Sequence, residues 1–255
     1  VFYLDKFFNL RIIPKNPTIG LVIGTHGSVP YIHLFLESAK RNFPNMPILI
    51  HDDYSEDRHQ LESLAREYNC EFFTNNFTRG HGAGDISSYV SGLRWAKGRF
   101  DLLVKMSRRF IPFFDWTESL KELAYRTQFF TFTNECKNFK FGVRTECVGM
   151  YVKSWFKFLL DLESLMRSDV DAEREMYQLI IKIQASNDLV INKNYVYRNC
   201  KLEYKECYGV WEEIGNNRML NNPNILWHDI CGAKDYYKRA LDYGVNEYSL
   251  ADFVI

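Results

Sequence analysis

Three polar clusters, each ending an apolar run, carry most of the chemical potential of this sequence: Thr25-His26-Gly27, Asp52-Asp53 and Ser107-Arg108-Arg109. Such residues suit a ligand site better than a core. A guanidinium neutralises phosphate oxygens and makes paired hydrogen bonds to them. Arg108 and Arg109 point to opposite faces of an extended strand, so at most one serves a given ligand while the strand holds. A fourth segment, Gly80-His-Gly-Ala-Gly84, precedes a helical pattern, and glycines before a helix N-terminus can bind anions. Its spacing is G-x-G-x-G, and it follows the third apolar run. A dinucleotide fingerprint needs G-x-G-x-x-G after the first. It reads as a loop, with Asp85 as the N-cap or a ribose contact and His81 exposed.

The elements that must position these clusters alternate. Strands are expected at Thr18–Ile23, Met46–Ile50, Cys70–Phe73 and Asp101–Arg109. Between them run helical patterns that bury Ile32, Phe35, Leu36, Ala39 and Phe43, then Leu61, Leu64, Ala65 and Tyr68. The third buries Ile86, Tyr89, Val90, Leu93 and Ala96, and Gly98 stops it. This βα alternation predicts an α/β fold with a mostly parallel sheet flanked by helices, and ligands lie beyond the carboxyl ends of such strands. Beyond Arg109 the pattern loosens. Helices are expected at Thr117–Tyr125, Ser154–Leu165, from Asp171 and at Lys234–Tyr243. Strands are expected at Phe129–Thr133, Gly142–Val152 and Leu189–Tyr197, with a polar loop at Asn216–Asn224 and then Leu226–Ile230. Residues 1–16 read as an arm or linker. Residues 17–255 read as one domain in two halves, 17–110 and 111–255, which the resemblance drawn below makes a nucleotide-sugar half and an acceptor half.

Composition narrows the classes. Lys+Arg and Asp+Glu number 32 each, so zero net charge argues against bulk affinity for nucleic acid. The six cysteines form no C-x-x-C pair, which fits reduced thiols and a cytoplasmic location. No apolar run reaches transmembrane length. The first residue is Val1 rather than Met, which suits a piece of a longer, multidomain protein.

The layout from Thr18 to Arg109 resembles a GT-A glycosyltransferase, the nucleotide-sugar-dependent Rossmann-like fold. The resemblance rests on Ile23-Gly-Thr-His-Gly27, on His51-Asp-Asp-Tyr-Ser-Glu-Asp57, and on the helix from Asp85 to Gly98 leading into the Asp101 strand. It implies transfer of a sugar from a nucleotide-sugar donor, a UDP-sugar by default, to a hydroxyl of a glycan acceptor. Most GT-A enzymes end the fourth strand in Asp-x-Asp, which holds a divalent metal against the donor diphosphate. Here Ser107-Arg108-Arg109 stands in that place. The resemblance therefore implies a metal-independent enzyme in which a guanidinium meets the charge on the leaving diphosphate.

By the same resemblance Thr25, His26 and Gly27 line the nucleotide pocket, and one of Asp52 and Asp53 receives base or ribose donors. Glu173, in the acidic stretch Asp169–Glu175, is the expected base for the acceptor hydroxyl, with Glu146 in reserve. His228 donates to phosphate. Plainer alternatives stand beside each. The first turn is only a turn, the Asp52-Asp53 cluster only caps a helix, and the arginines are solvated. The acids from Asp169 on, with Asp169 and Asp171 as caps, answer a helix dipole. Two other functions stay open: an inactive GT-A-like module that binds a glycan or protein, and a Rossmann methyltransferase or dehydrogenase.

Overall fold

The computed structural model describes residues 14, 16–108, 111–112, 115, 117–126, 128–131, 145, 147–167, 169–186 and 233–254. The strands expected at Leu189–Tyr197 and Leu226–Ile230 and the loop at Asn216–Asn224 lie outside them.

Four strands near the N-terminus lie parallel. β1 (Ile19–Thr25) sits between β2 (Ile48–Asp52) and β4 (Leu102–Ser107), and β3 (Glu71–Thr74) pairs with β2. The connections α1 (Val29–Asn42), α2 (Arg58–Glu67) and α3 (His81–Ala96) are the helices that the apolar periodicity predicts. β6 (Cys147–Tyr151) joins β4 antiparallel, and β5 (Phe129–Thr131) joins β6 antiparallel after α4 (Thr117–Arg126). The order β3-β2-β1-β4-β6-β5 gives the mixed, mostly parallel α/β sheet expected from the sequence.

Strand alternation sorts the core into two clusters. Leu21, Ile23, Val104 and Met106 face α1, α2 and α4. On that face also lies α8 (Ala233–Asp242), whose Tyr236 and Ala240 are buried. Val22, Leu49, Leu103, Val148 and Met150 face α3 and α7 (Ala172–Ser186), where Met176, Leu179, Ile180 and Ile183 are buried. Each fully buried Leu, Ile, Val, Met or Phe contributes roughly 1.5–3 kcal/mol relative to exposure. The helix expected over Ser154–Leu165 is instead broken. α5 (Val152–Trp155), a 3-10 turn (Phe156–Phe158) and α6 (Leu159–Ser164) replace it, because Trp155 turns into the core, with its indole N–H donating to the Gln128 carbonyl at 3.0 Å. Among the described residues no helix is long and apolar enough to cross a membrane.

Candidate functional site

From β1 the chain moves outward to β2 and β3, then returns to the other side of β1 as β4. Strand order reverses between β1 and β4, and a crevice opens beyond the carboxyl ends of such a pair. Two of the three sequence clusters meet there. The Thr25 hydroxyl donates to the Gly27 carbonyl at 2.5 Å, which tightens the turn after β1. Gly27 and Ser28 are both left-handed, at φ 70 and φ 63, so the chain reverses within two residues. His26 is exposed, with Nδ1 3.0 Å from the Asp53 carbonyl oxygen. A carbonyl only accepts, so that nitrogen carries the proton. The Arg108 guanidinium donates to the His26 carbonyl at 3.1 Å, and its backbone N–H donates to Gly24 at 3.3 Å. A cation at the end of β4 thus lies against the β1 turn.

Asp52 and Asp53 point to opposite faces of the sheet, and each fastens backbone. Asp52 is fully buried and accepts from the Gly27 N–H at 3.2 Å, the Ser55 N–H at 2.8 Å and the Thr74 hydroxyl at 3.2 Å. It therefore welds the β1 turn to the end of β2. Asp53 accepts from the Asn75 amide at 2.6 Å, the Arg79 N–H at 3.0 Å and the Gly80 N–H at 3.2 Å. These bonds set the path of residues 75–80 into α3. Neither aspartate caps α2, whose N-cap is Asp57.

The start of α3 corrects one expectation. The helix begins at His81 with Gly80 as N-cap, so Asp85 lies inside it rather than before it. Glycine is needed within the helix because a Cβ on Gly84 would stand 2.5 Å from Asp53 Oδ2. Inside the helix, Asp85 turns toward the sheet and forms an ion pair with Lys105 of β4. Sequence reading passed over Lys105. Its side chain is fully buried, donates to the Thr145 carbonyl at 2.9 Å, and lies 5.0 Å from the centroid of the Tyr89 ring. The Tyr89 hydroxyl donates to the same carbonyl. The missed signal was one charge in an otherwise apolar central strand, with an acid twenty residues upstream (105 − 85).

The neighbouring polar group on this face is His51, which the sequence reading named in a motif but gave no role of its own. Its ring lies between hydroxyls of α3, with Nε2 2.8 Å from Ser87 Oγ and Nδ1 2.7 Å from Ser91 Oγ. Burial is the main cause that lowers its pKa to about 3. The attraction of Asp52 opposes the shift, and Lys105 and Arg79 assist it. The α3 face of the sheet therefore grades from apolar Leu103 and Leu49, through His51 and Lys105, to Asp53 and Ser107 at the carboxyl edge.

Of the other expected site residues, Ser107 ends β4 on the same face as Lys105. Glu173 is half-buried in the first turn of α7. Asp171 caps that helix as expected, its carboxylate accepting from the Arg174 N–H at 3.2 Å. His81 is exposed. Arg109, Glu146 and His228 lie outside the described residues.

The resemblance implies a divalent metal beside the end of β4, and the described residues there supply no carboxylate for one. Ser107 and Arg108 occupy that end. Among the described residues no three His, Cys, Asp or Glu side chains converge as ligands. The Arg108 guanidinium adds like charge where a cation would sit.

No protein-family model and no curated protein matches the sequence. Solved structures do match in fold. The apo-form glycosyltransferase GlyE from Streptococcus pneumoniae TIGR4 aligns with TM-score 0.52 and 14% identity, over 89% of this chain and 61% of its own. The mannosyltransferase PcManGT from Pyrobaculum calidifontis, solved with GDP-Man and Mn2+, aligns with TM-score 0.49 and 12% identity, over 98% of this chain and 84% of its own. S. aureus TarS 1-349 with UDP aligns with TM-score 0.46 and 14% identity, over 71% of this chain and 60% of its own. The chain thus spans about three fifths of the GlyE and TarS chains. Its fold is GT-A-like, as in the glycosyltransferase GlyE.

Proposed function

We propose that this protein transfers a sugar, a hexose or pentose, from a nucleotide-sugar donor to a hydroxyl of a glycan acceptor. The transfer needs no divalent metal, UDP-sugars are the default donor, and the protein works in the cytoplasm. The observation that carries the reading is the Arg108 guanidinium bonded to the turn after β1 at the switch point. Negative charge grows on the leaving nucleoside diphosphate as the sugar bond breaks, and a cation already in place lowers that barrier. Arg108 supplies it, with Arg109 as the neighbouring cation and His228 as a further phosphate donor. Thr25, His26 and Gly27 border the nucleotide. Asp52 and Asp53 act chiefly by holding that turn and the entry to α3 in place, as their backbone bonds indicate. Glu173 takes the proton of the acceptor hydroxyl, and Glu146 is the alternative base.

The test is a thermal-shift and calorimetric panel of UDP, GDP, CMP, NAD and S-adenosylmethionine, each with Mn2+ and with EDTA. A ligand that binds only the folded chain raises the melting temperature. The expected result is a shift with UDP or GDP that survives EDTA and falls at least tenfold in affinity in Arg108→Ala. Binding that requires Mn2+ refutes metal independence. Binding of NAD or S-adenosylmethionine alone, or of none of the five, refutes the glycosyltransferase reading.

A further inference from the structure

His33 of α1 joins three elements remote in sequence, and the partners of its two ring nitrogens define its charge. The residue is 9% exposed. Nε2 lies 2.8 Å from the hydroxyl of Tyr68, the C-cap of α2. That hydroxyl donates to Glu37 Oε1 at 2.5 Å, and a carboxylate only accepts, so the single Tyr68 proton is spent there. Nε2 must therefore carry the proton that joins ring to hydroxyl. Burial first, then the Glu37 carboxylate, pushes the Tyr68 pKa well up, so the hydroxyl keeps its proton at every ordinary pH.

Nδ1, on the other side of the ring, faces the C-terminal segment. Glu247 Oε1 stands 2.9 Å away and the Tyr248 hydroxyl 3.2 Å away. With Nε2 protonated, a neutral ring would turn a bare lone pair on Nδ1 toward the carboxylate, and two acceptors at that distance repel. The contact with Glu247 holds when Nδ1 also carries a proton, as in an imidazolium. A neutral ring has a different partner within reach, because the Tyr248 hydroxyl can donate to Nδ1. Burial, then the charges of Glu247, Asp252 and Glu67, raises the Tyr248 pKa to about 12, so that hydroxyl keeps its proton. One ring nitrogen thus has a partner for each charge state, and both partners sit on the same segment.

The charged and titratable groups around the ring come from every element packed there. α1 brings Glu37 and Lys40, whose ammonium is 3.8 Å from Glu37 Oε1 and 5.4 Å from the centroid of the Tyr68 ring. The end of α2 brings Glu67 and Tyr68. The C-terminal segment brings Glu247, Tyr248 and Asp252, the last engaged by the Ser249 N–H at 2.7 Å. The Tyr68 and Tyr248 rings meet His33 edge-on, at 5.6 and 5.7 Å between centroids.

We infer that His33 is a proton-operated clasp: its imidazolium fastens residues 245–254 to α1 through Glu247, and its neutral ring releases Glu247 and keeps only Tyr248. Histidine changes charge between about pH 5 and pH 8, and the imidazolium belongs to the acid side. The clasp therefore tightens as pH falls through that range and loosens as pH rises. The segment it governs lies along α1, where Tyr31 donates to the Phe253 carbonyl at 2.7 Å and Arg41 to the Tyr243 carbonyl at 2.6 Å. α1 itself starts from the turn after β1, with Ser28 as its N-cap. Proton concentration is thereby coupled to the outer cover of the helix that leaves the candidate site. The clasp needs no sugar nucleotide, so its failure would leave the proposed function untouched.

The experiment is hydrogen–deuterium exchange of the full chain at a series of pH values between about pH 5 and pH 8, the range of histidine titration. Rates are corrected for the intrinsic pH dependence of amide exchange, and peptides from 245–254 are read against peptides from β4. The wild type, Glu247→Gln, Tyr248→Phe and His33→Gln are compared. A partly exposed ion pair supports protection of the segment about threefold to tenfold higher at the acid end than at the basic end. The Glu247 side chain is 52% exposed, so Glu247→Gln keeps the fold and should abolish the difference by lowering protection at the acid end alone. Tyr248→Phe removes the partner of the neutral ring and should lower protection most at the basic end, which widens the difference. His33→Gln should leave none. A merely structural contact would weaken the segment equally at every pH. Nitrogen-15 spectra of the wild-type His33 ring report its charge directly, and its titration should track the change in protection. Equal protection throughout in the wild type, an undiminished difference in Glu247→Gln, or a ring titration that does not track protection overturns the inference.

Discussion

Acid should destabilise this protein through His51, and the size of the effect follows from where the ring sits. His51 is 1% exposed, stacked on Phe73 at 5.5 Å between centroids, with both ring nitrogens engaged by Ser87 and Ser91. Burial lowers its pKa from 6.5 to about 3, so on acidification the proton goes first to the unfolded chain. The stability owed to a neutral His51 is present in full above pH 6.5 and is lost as pH falls toward 3, by about 1.4 kcal/mol per pH unit. Between pH 7 and pH 5 the loss is about 2 kcal/mol. Any folded pKa below about 4 gives the same figure, because the folded imidazole is then neutral at pH 5. Other groups titrate in this window, so the readout is a difference. His51→Gln keeps a polar amide near the serines and cannot titrate. In urea denaturation at both pH values, the stability gap between wild type and His51→Gln should narrow by about 2 kcal/mol at pH 5. A parallel decline of the two proteins, or an imidazole that titrates above pH 5 by NMR, refutes the reasoning.

Two further substitutions test the packing that shapes the site. Gly84→Ala puts a Cβ 2.5 Å from Asp53 Oδ2, a carboxylate pinned by the Arg79 and Gly80 N–H groups. We expect a loss of about 1–3 kcal/mol in urea denaturation and faster proteolysis at residues 75–80, and an unchanged midpoint would contradict the close approach. Gly149→Ala drives its Cβ to 2.0 Å from the Phe130 ring across the β5–β6 pair. It should cost at least about 2 kcal/mol, and Phe130→Leu in the same chain should recover part of that loss, so additive effects would sink the explanation.

The apolar runs of the first half were plain to read because each is bounded by polar turns and its strands pack on both faces. The start of α3 was not. Glycines in His81–Gly84 read as loop punctuation, yet Gly84 is selected by the nearness of Asp53, a tertiary fact that no local propensity carries. The candidate site divides similarly. Thr25, His26, Gly27 and Arg108 were visible as polar strand ends, and the structure brings them to one edge. Asp52 and Asp53 were visible as acids, but their bonds to the Gly27, Arg79 and Gly80 N–H groups were not, since those span more than twenty residues. Lys105 drew no role because an isolated charge in a strand reads as a surface position, and His51 figured only as the first residue of the second-strand motif. Only the pairing of β4 with both β1 and β6 makes Lys105 central. After Arg109 the shorter, broken elements between residues 129 and 164 dilute the periodic signal.

The C-terminal segment has a bearing on how the chain comes to be folded. Its 3-10 turn (Leu250–Phe253) lies on α1, where the Tyr31 hydroxyl donates to the Phe253 carbonyl at 2.7 Å across 222 residues of sequence. Arg41 donates to the Tyr243 carbonyl at 2.6 Å, and Glu247 lies 2.9 Å from the His33 ring. The first βα unit therefore leaves the ribosome with its outer flank bare. Tyr31 and its apolar neighbours on α1 acquire their cover only when residues near 250 emerge. At about 5–20 residues per second, that interval is on the order of ten seconds to a minute. Through it this βα unit stays exposed to chaperones and to wrong partners. Closure of the Tyr31–Phe253 contact marks the end of that exposure.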